Sequence, residues 1–278
     1  MITTCLLCTY NNGKGGHVNA NQRRAVIKDR VLESGEVSFT ELAEEFEVSE
    51  MTIRRDLETL ESEGVLRRVL GGAISVVGKS TEPSFSARAA DAAEEKAHLA
   101  EAAVRMIKPR ETVILDSGST VLAIARAIRG RGLGLTVVTP SLLAAIELSD
   151  EPDTTVLVTG GRVRPGELSL IGGEAEDAFL RYNCDLYFMG VAGVDGTRGA
   201  SEYHRDEGAV KRYAVRAADR VVAVVDSSKL GRVQLINVAR PEEIDAVITD
   251  AESGDPAVRS LAERGIEVVC VSENGESV

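Results

Sequence analysis

Val48-Ser49-Glu50-Met51-Thr52-Ile53-Arg54-Arg55-Asp56-Leu57-Glu58-Thr59-Leu60 decides how the first quarter of this chain folds. Ile53, Leu57 and Leu60 recur at i, i+4 and i+7, one apolar stripe along a helix, and Ser49 ahead of it is a residue type that accepts from the first free amides. The stripe faces a core, so Thr52, Arg54, Arg55 and Glu58 point elsewhere. Short hydroxyls and adjacent guanidinium groups on the N-terminal half of an exposed helix are the groups that reach base edges and phosphates in a major groove. An isolated Arg-Arg pair is ordinarily just a solvated face, so the case rests on what flanks it.

Upstream, Ala25-Val26-Ile27 through Val31-Leu32 reads as an amphipathic helix stopped at Ser34-Gly35, and Ser38-Phe39-Thr40-Glu41 has the spacing of a capping box. Leu42, Ala43 and Phe46 form the next apolar stripe. Only Glu47 and Val48 separate it from the third helix, which is the short turn of a helix-turn-helix. Downstream, Gly64 ends the third helix, and residues 65–75 read as a hairpin with a Gly71-Gly72 turn, a wing carrying Arg67 and Arg68 at its base. Ser49, Thr52, Arg54, Arg55, Arg67 and Arg68 are the expected DNA contacts. Asp56 is expected to anchor Arg54, Arg55 or a wing arginine.

Glu41-Leu42-Ala43, Val48-Ser49, the run Thr52 to Leu57, Leu60-Glu61, Gly64, Leu66-Arg67-Arg68 and Gly71-Gly72-Ala73 closely resemble the winged helix-turn-helix of DeoR-type repressors. The resemblance implies a transcriptional regulator whose partner is a double-stranded DNA operator. Two positions depart from it. Glu47 stands where the family usually has glycine, so a residue with a side chain must take a turn geometry that glycine takes freely. Leu70 stands where histidine usually precedes Gly-Gly-Ala, which removes a polar group from the wing.

The whole chain carries a formal net charge of -12 and a pI near 4.9. Residues 18–79 hold nine Lys and Arg against twelve Asp and Glu, so even the DNA-reading module is acidic. Binding to a polyanion depends on local cations at the phosphate surface rather than on total charge. The acidic remainder is expected to suppress nonspecific binding and sharpen salt dependence.

The 278 residues, 44% hydrophobic, contain no apolar run long enough for a bilayer and imply one small and one medium domain. The first residues lack the basic start and apolar core of a signal peptide, and a cytoplasmic location is expected. Residues 1–17 read as a disordered extension outside the natural protein: Gly15-Gly16 can be encoded by GGAGG, a ribosome-binding sequence, and Val18 would then be a GTG start. Cys5, Cys8 and His17 supply three of the four ligands a closed zinc site needs, so no metal and no cofactor is expected. Cys184 and Cys270 are expected to pack as small apolar groups.

Residues 76–90 are rich in small and turn-forming types and read as a linker between a winged helix-turn-helix at 18–75 and an α/β domain at 91–278. An Ala-rich helix from Ala92 to Ile107 leads into apolar strands at 112–115, 135–139, 156–159, 186–189, 221–225, 246–249 and 267–271. Strands alternating with helix-length spacers imply a mostly parallel sheet with helices on both faces, whose ligands sit beyond the strands' carboxyl ends. Asp116-Ser117-Gly118-Ser119-Thr120 follows the first strand and opens the helix Val121 to Ile128, an anion cradle of amides and hydroxyls at a helix N-terminus. Gly160-Gly161-Arg162, the run Gly190 to Asp195, and Asp226-Ser227-Ser228-Lys229 end other strands, and Lys229 offers a point charge.

In this order these elements resemble the effector domain of DeoR-type regulators, whose fold is similar to ribose-5-phosphate isomerase and whose ligands are usually phosphorylated sugars. The resemblance implies that Ser117, Gly118, Ser119 and Thr120 hold phosphate with Gly161, Arg162, Lys211 and Lys229 nearby. It further implies a homo-oligomer controlling a carbohydrate-metabolism operon. Pro140 stands in Thr139-Pro140-Ser141 where Thr-Asn-Ser is usual, which leaves the sugar open. The alternative is a phosphosugar isomerase with a DNA-binding domain. Isomerisation needs a base beside the carbonyl, and here Gly190 is followed by Val191-Ala192-Gly193 rather than by acidic residues. Glu202, Asp206 and Glu207 lie in a polar stretch that reads as a helix entrance, so no enzymatic role is expected.

Overall fold

The computed structural model describes residues 19–34, 36–62, 65–69, 71–75, 82, 85–90 and 93–272. The extension 1–17, with Cys5, Cys8 and His17, and also Val18 and Leu70, lie outside the described residues. The chain divides into two compact units, Met1–Gly78 and Lys79–Val278.

The first unit contains α1 (Ala20–Ser34), β1 (Glu36–Ser38), α2 (Phe39–Glu45), α3 (Glu50–Ser62), β2 (Leu66–Val69) and β3 (Gly72–Ser75). Ile53, Leu57 and Leu60 bury their stripe against Ile27 and Val31 of α1, Leu42 and Phe46 around α2, and Leu66 of the hairpin. The turn between α2 and α3 is a Schellman closure: Val48 N–H donates to Ala43 O at 3.1 Å and Glu47 N–H to Glu44 O at 3.3 Å. Glu47 takes φ 52° there, the left-handed geometry that its place in the sequence demands.

Two local expectations fail for one reason. Ser38 makes no side-chain cap to α2 because it ends β1, which pairs antiparallel with β3. That third strand also moves the wing turn: Gly72 pairs with both Val69 and Ser38, so it belongs to the strand and Gly71 to the turn. A β-carbon on Gly72 would collide with the Val37 carbonyl, so glycine is needed here for close approach rather than for turning.

The second unit opens with α4 (Phe85–Ala90), inside the stretch expected to be a linker, and α5 (Ala93–Arg105). It continues through β4 (Thr112–Leu115), α6 (Ser119–Ile128), β5 (Thr136–Thr139), α7 (Leu142–Leu148) and β6 (Thr155–Val158). A hairpin follows, β7 (Arg162–Val163) and β8 (Leu170–Ile171), then α8 (Gly173–Phe179) and β9 (Leu186–Met189). After β10 (Gly193–Asp195), β11 (Gly199–Glu202) and α9 (Arg205–Arg216) come β12 (Val221–Val224), β13 (Ile236–Ala239), β14 (Ala246–Thr249), α10 (Pro256–Ala262) and β15 (Glu267–Cys270).

Seven strands form one sheet in the order β15-β14-β12-β9-β4-β5-β6, every neighbouring pair parallel. Their apolar residues alternate between two cores. Val113, Leu115 and Val137 pack with α5, α6 and α7 on one face, while Ile114, Val138 and Tyr187 pack with α8 and α9 on the other. The chain winds outward from β4 to β5 and β6 in one direction and from β9 to β12, β14 and β15 in the other. The boundary between β4 and β9 is therefore the switch point where such sheets open a crevice. Beyond the main sheet lie an antiparallel sheet β10-β11-β13 and the β7-β8 hairpin, short strands that the sequence pattern did not mark. Cys184 and Cys270 are free and buried, and burial pushes the Cys184 thiol up to about 11.

Candidate functional sites

On α3, Ser49 Oγ accepts from Thr52 N–H at 3.2 Å and lies 2.9 Å from the Thr52 hydroxyl, so the expected cap is made. Ser49, Arg54 and Arg55 are exposed and Thr52 is half-buried. Arg54 stacks 4.3 Å over the Phe39 ring and stands 3.6 Å from Glu50. Arg55 has no ion-pair partner among the described residues. Arg68 is exposed but committed, donating to Glu61 at 2.7 Å and pairing with Glu58 at 3.0 Å. The hydrogen bond that Arg68 donates to Glu61 holds its guanidinium above its ordinary range. The Arg67 side chain lies outside the described residues.

Asp56 corrects a sequence expectation. It is buried and accepts from Arg23 Nε at 2.6 Å, with Arg24 3.8 Å away. Among the described residues it ties α3 to α1 rather than pairing with Arg54, Arg55 or Arg68. Nothing in the linear pattern marks Arg23 as its partner, because the pairing depends on how α1 crosses α3.

In the second unit, a cleft opens beyond the strand ends. Ser117, Gly118, Ser119 and Thr120 line it, with Gly190, Val191 and Ala192 after β9 and Asp226 and Lys229 after β12. Gly118 caps α6 without a side chain, so the helix's first amides face a place for an anion rather than a built-in cap. Gly190 permits the neighbouring loop to come close: a β-carbon there would meet Ser117 O at 3.1 Å. Lys229 has no ion-pair partner among the described residues.

Asp116 and Lys211 are built differently. Asp116 is buried, its Oδ1 accepting from Ser117 N–H at 2.8 Å and its Oδ2 from Gly190 N–H at 3.1 Å and Lys211 Nζ at 2.6 Å. Lys211 Nζ also donates to Gly190 O at 2.7 Å and stands 3.6 Å from Glu202. The pair thus fastens α9 to the loops after β4 and β9. Burial alone would discharge Lys211, but Asp116, Glu202 and Glu207 outweigh it and hold the ammonium well above its ordinary range. Burial drives the Asp116 carboxyl upward against the pull of Lys211.

Gly161 and Arg162 are not brought to the cleft. They follow β6, the sheet's edge strand, two positions away from β4; Gly161 packs on Ile171 and Ala175, and Arg162 is exposed and paired with Asp206 at 3.1 Å. In their place stand residues that sequence reasoning missed as site residues: Glu82, Arg88, Lys96, Glu167, Glu202 and Glu207. Glu202 and Glu207 are not a mere helix entrance. Both are buried in the cleft wall, where burial pushes Glu202 up to about 7. Burial also acts to raise Glu207, but Lys211, the Ser169 hydroxyl and Arg164 hold it below its ordinary range. Glu82, Glu202 and Glu207 place carboxylate oxygens within 4.8 Å of one another, yet Arg164 and Arg88 already pair with Glu82 and Arg164 with Glu207, which suits ion pairing better than a metal.

The DeoR-like helix-turn-helix domain family matches residues 23–78, and the DeoR C terminal sensor domain family matches residues 91–251. The chain belongs to the DeoR family. This DeoR-family protein is 33% identical to the putative aga operon transcriptional repressor of Escherichia coli O157:H7 over 95% of this chain and 99% of that one. It is 35% identical to the HTH-type transcriptional regulator GlpR of Haloferax volcanii, over 89% of this chain and 96% of the relative. The glycerol-3-phosphate regulon repressor of Escherichia coli K12 is 31% identical over 89% of this chain and 97% of its own. Ribose 5-phosphate isomerase A from Methanocaldococcus jannaschii overlays 50% of this chain and 55% of its own with a TM-score of 0.37 and 17% identity, a likeness too slight to inform activity. The protein is a DNA-binding transcriptional regulator of the DeoR family, with a sensor domain behind its helix-turn-helix. Among the described residues no helix is long and apolar enough to cross a membrane.

Proposed function

We propose that this DeoR-family regulator is a repressor of a carbohydrate-metabolism operon, whose hold on its operator is set by a phosphorylated sugar bound in the sensor cleft. The observation that carries the effector half is the uncapped start of α6 facing a cleft that also holds the uncommitted Lys229. Amides at a helix N-terminus and a nearby ammonium together favour a phosphate dianion. Ser117, Gly118, Ser119 and Thr120 would hold it with Lys229, while Asp116 and Lys211 position the loops. Relatives named as aga operon and glycerol-3-phosphate regulon repressors support the same ligand class.

The DNA half assigns base and phosphate contact to Ser49, Thr52, Arg54 and Arg55, with the wing at Arg67 and Arg68. A homo-oligomer would set two reading helices on paired half-sites, in the cytoplasm where the operator is. An effector shifts DNA affinity only by its differential affinity for two arrangements of that assembly.

One observation favours a second reading, an isomerase: Glu202 is a buried cleft carboxyl poised near neutrality, as a general base would be. Its partner Lys211 is spent on Asp116 and Gly190 O, which argues for structure over turnover. The test is operator retardation with a panel of phosphorylated sugars. Arg55→Ala should weaken operator binding and keep ligand binding, and Lys229→Ala the reverse. Turnover of a pentose or hexose phosphate by the purified protein would overturn the non-enzymatic reading.

A further inference from the structure

We propose that Arg88 is an anion-contacting residue of the sensor cleft, and that a bound phosphate exchanges with Glu167 for its guanidinium, so that occupancy is felt by α4. The inference deepens the phosphate reading above and rests on it.

Arg88 lies on α4 and lines the cleft together with two of its own carboxylate partners. Its Nη2 pairs with Glu82 at 3.1 Å and with Glu167 more closely. Its Nε is buried and has no acceptor, so the guanidinium still has a donor to give. The backbone of the same residue touches the anion loop: Arg88 O accepts from Ser119 Oγ at 3.4 Å and from Lys96 Nζ. A group seated on the start of α6 is therefore beside the residue that carries the guanidinium.

The surrounding charges make exchange feasible. Three carboxylates, Glu82, Glu167 and Glu207, share two guanidiniums, Arg88 and Arg164, with Glu82 to Arg164 at 2.6 Å and Arg164 to Glu207 at 2.7 Å. Glu207 has a further donor in the Ser169 hydroxyl. Among the described residues Glu167 pairs only with Arg88, and burial pushes its carboxyl up despite that arginine. It is the partner most readily given up, because it can take a proton once released. A ligand phosphate offers the planar Arg88 guanidinium two charged acceptor oxygens for a bidentate pair. Since Glu82 bridges Arg88 to Arg164, a change of partner at Arg88 is passed along α4 and to the base of α9.

The experiment titrates inorganic phosphate into the full-length protein by calorimetry and follows amide hydrogen exchange with and without it. Glu167→Gln should bind phosphate several-fold more tightly than the unaltered protein, because its competitor for Arg88 is gone. Arg88→Gln should bind about tenfold more weakly, the loss of one charge-assisted hydrogen bond, and Arg88→Lys should recover part of that loss. Phosphate should change exchange at residues 85–90 as well as at 117–120. Binding by Glu167→Gln no tighter than that of the unaltered protein, or exchange at 85–90 that ignores phosphate while 117–120 responds, would overturn the role of Arg88 and leave the phosphate site standing. No response at 117–120 would sink both readings.

Discussion

Arg55 in the first unit and Lys211 in the second are both cations, and the two units use charge in opposite ways. Arg55 is exposed without an ion-pair partner among the described residues. Lys211 is buried, its ammonium donating to Asp116 and Gly190 O with Glu202 beside it. A free, solvated guanidinium is available to a polyanion at small desolvation cost, whereas a walled-in ammonium is already spent on holding loops in place. Lys229 and Arg68 show the contrast inside each unit: in the cleft Lys229 has no ion-pair partner among the described residues, and the wing commits a cation that the sequence offered to DNA.

The largest expected effect comes from Lys211→Ala. Removing it leaves Asp116 and Glu202 buried without their counter-charge, at a cost of roughly 3–5 kcal/mol, read by denaturant unfolding. A variant that kept full stability and lost only ligand binding would break the comparison, because Lys211 would then be a contact rather than a fastening.

Next comes the Glu202 carboxyl, whose folded value of about 7 lies above its ordinary value of 4.5. Between those values the folded state binds more protons than the unfolded state, so stability falls as pH rises through that window. The fall is at most about 3 kcal/mol. Glu202→Gln should flatten this part of the pH profile in thermal unfolding, and an unchanged slope would refute the assignment.

Arg55→Ala should weaken operator binding by roughly 1–3 kcal/mol in fluorescence anisotropy while the melting temperature stays put. A parallel loss of stability would show that Arg55 is not the free charge described. The smallest effect sharpens the turn that sets α3: Glu47→Gly should stabilise the first unit by about 1 kcal/mol, because glycine takes φ 52° without the side-chain penalty. A destabilised variant would mean that the Glu47 side chain contributes more than its backbone costs.

Periodicity was sufficient for α3, whose stripe of Ile53, Leu57 and Leu60 is fully buried, and for the seven sheet strands, which fall within a residue or so of their apolar runs. Apolar runs are local signals and survive any arrangement of the remainder. The short strands β1, β10, β11 and β13 were not legible, since three or four residues without a long apolar run carry little pattern. Ser38 shows the consequence: its capping-box spacing is genuine, but pairing with Gly72 claims it for a strand.

By itself the sequence determined the helix-turn-helix, the left-handed turn at Glu47, the parallel α/β plan and the strand-to-helix loop at 117–120. Each of these is fixed by residue types within a few positions of one another. Only the tertiary structure decided which charges meet. Strand order carries Lys229 to the cleft and strands Arg162 at the sheet edge. Helix crossing gives Asp56 to Arg23, and the fold returns Arg88 and Glu82, from a stretch that reads as a linker, to the wall beside Glu167. Such pairings join residues tens of positions apart, and ion pairs leave no periodic trace in the chain because they depend on distance in space rather than on spacing along it.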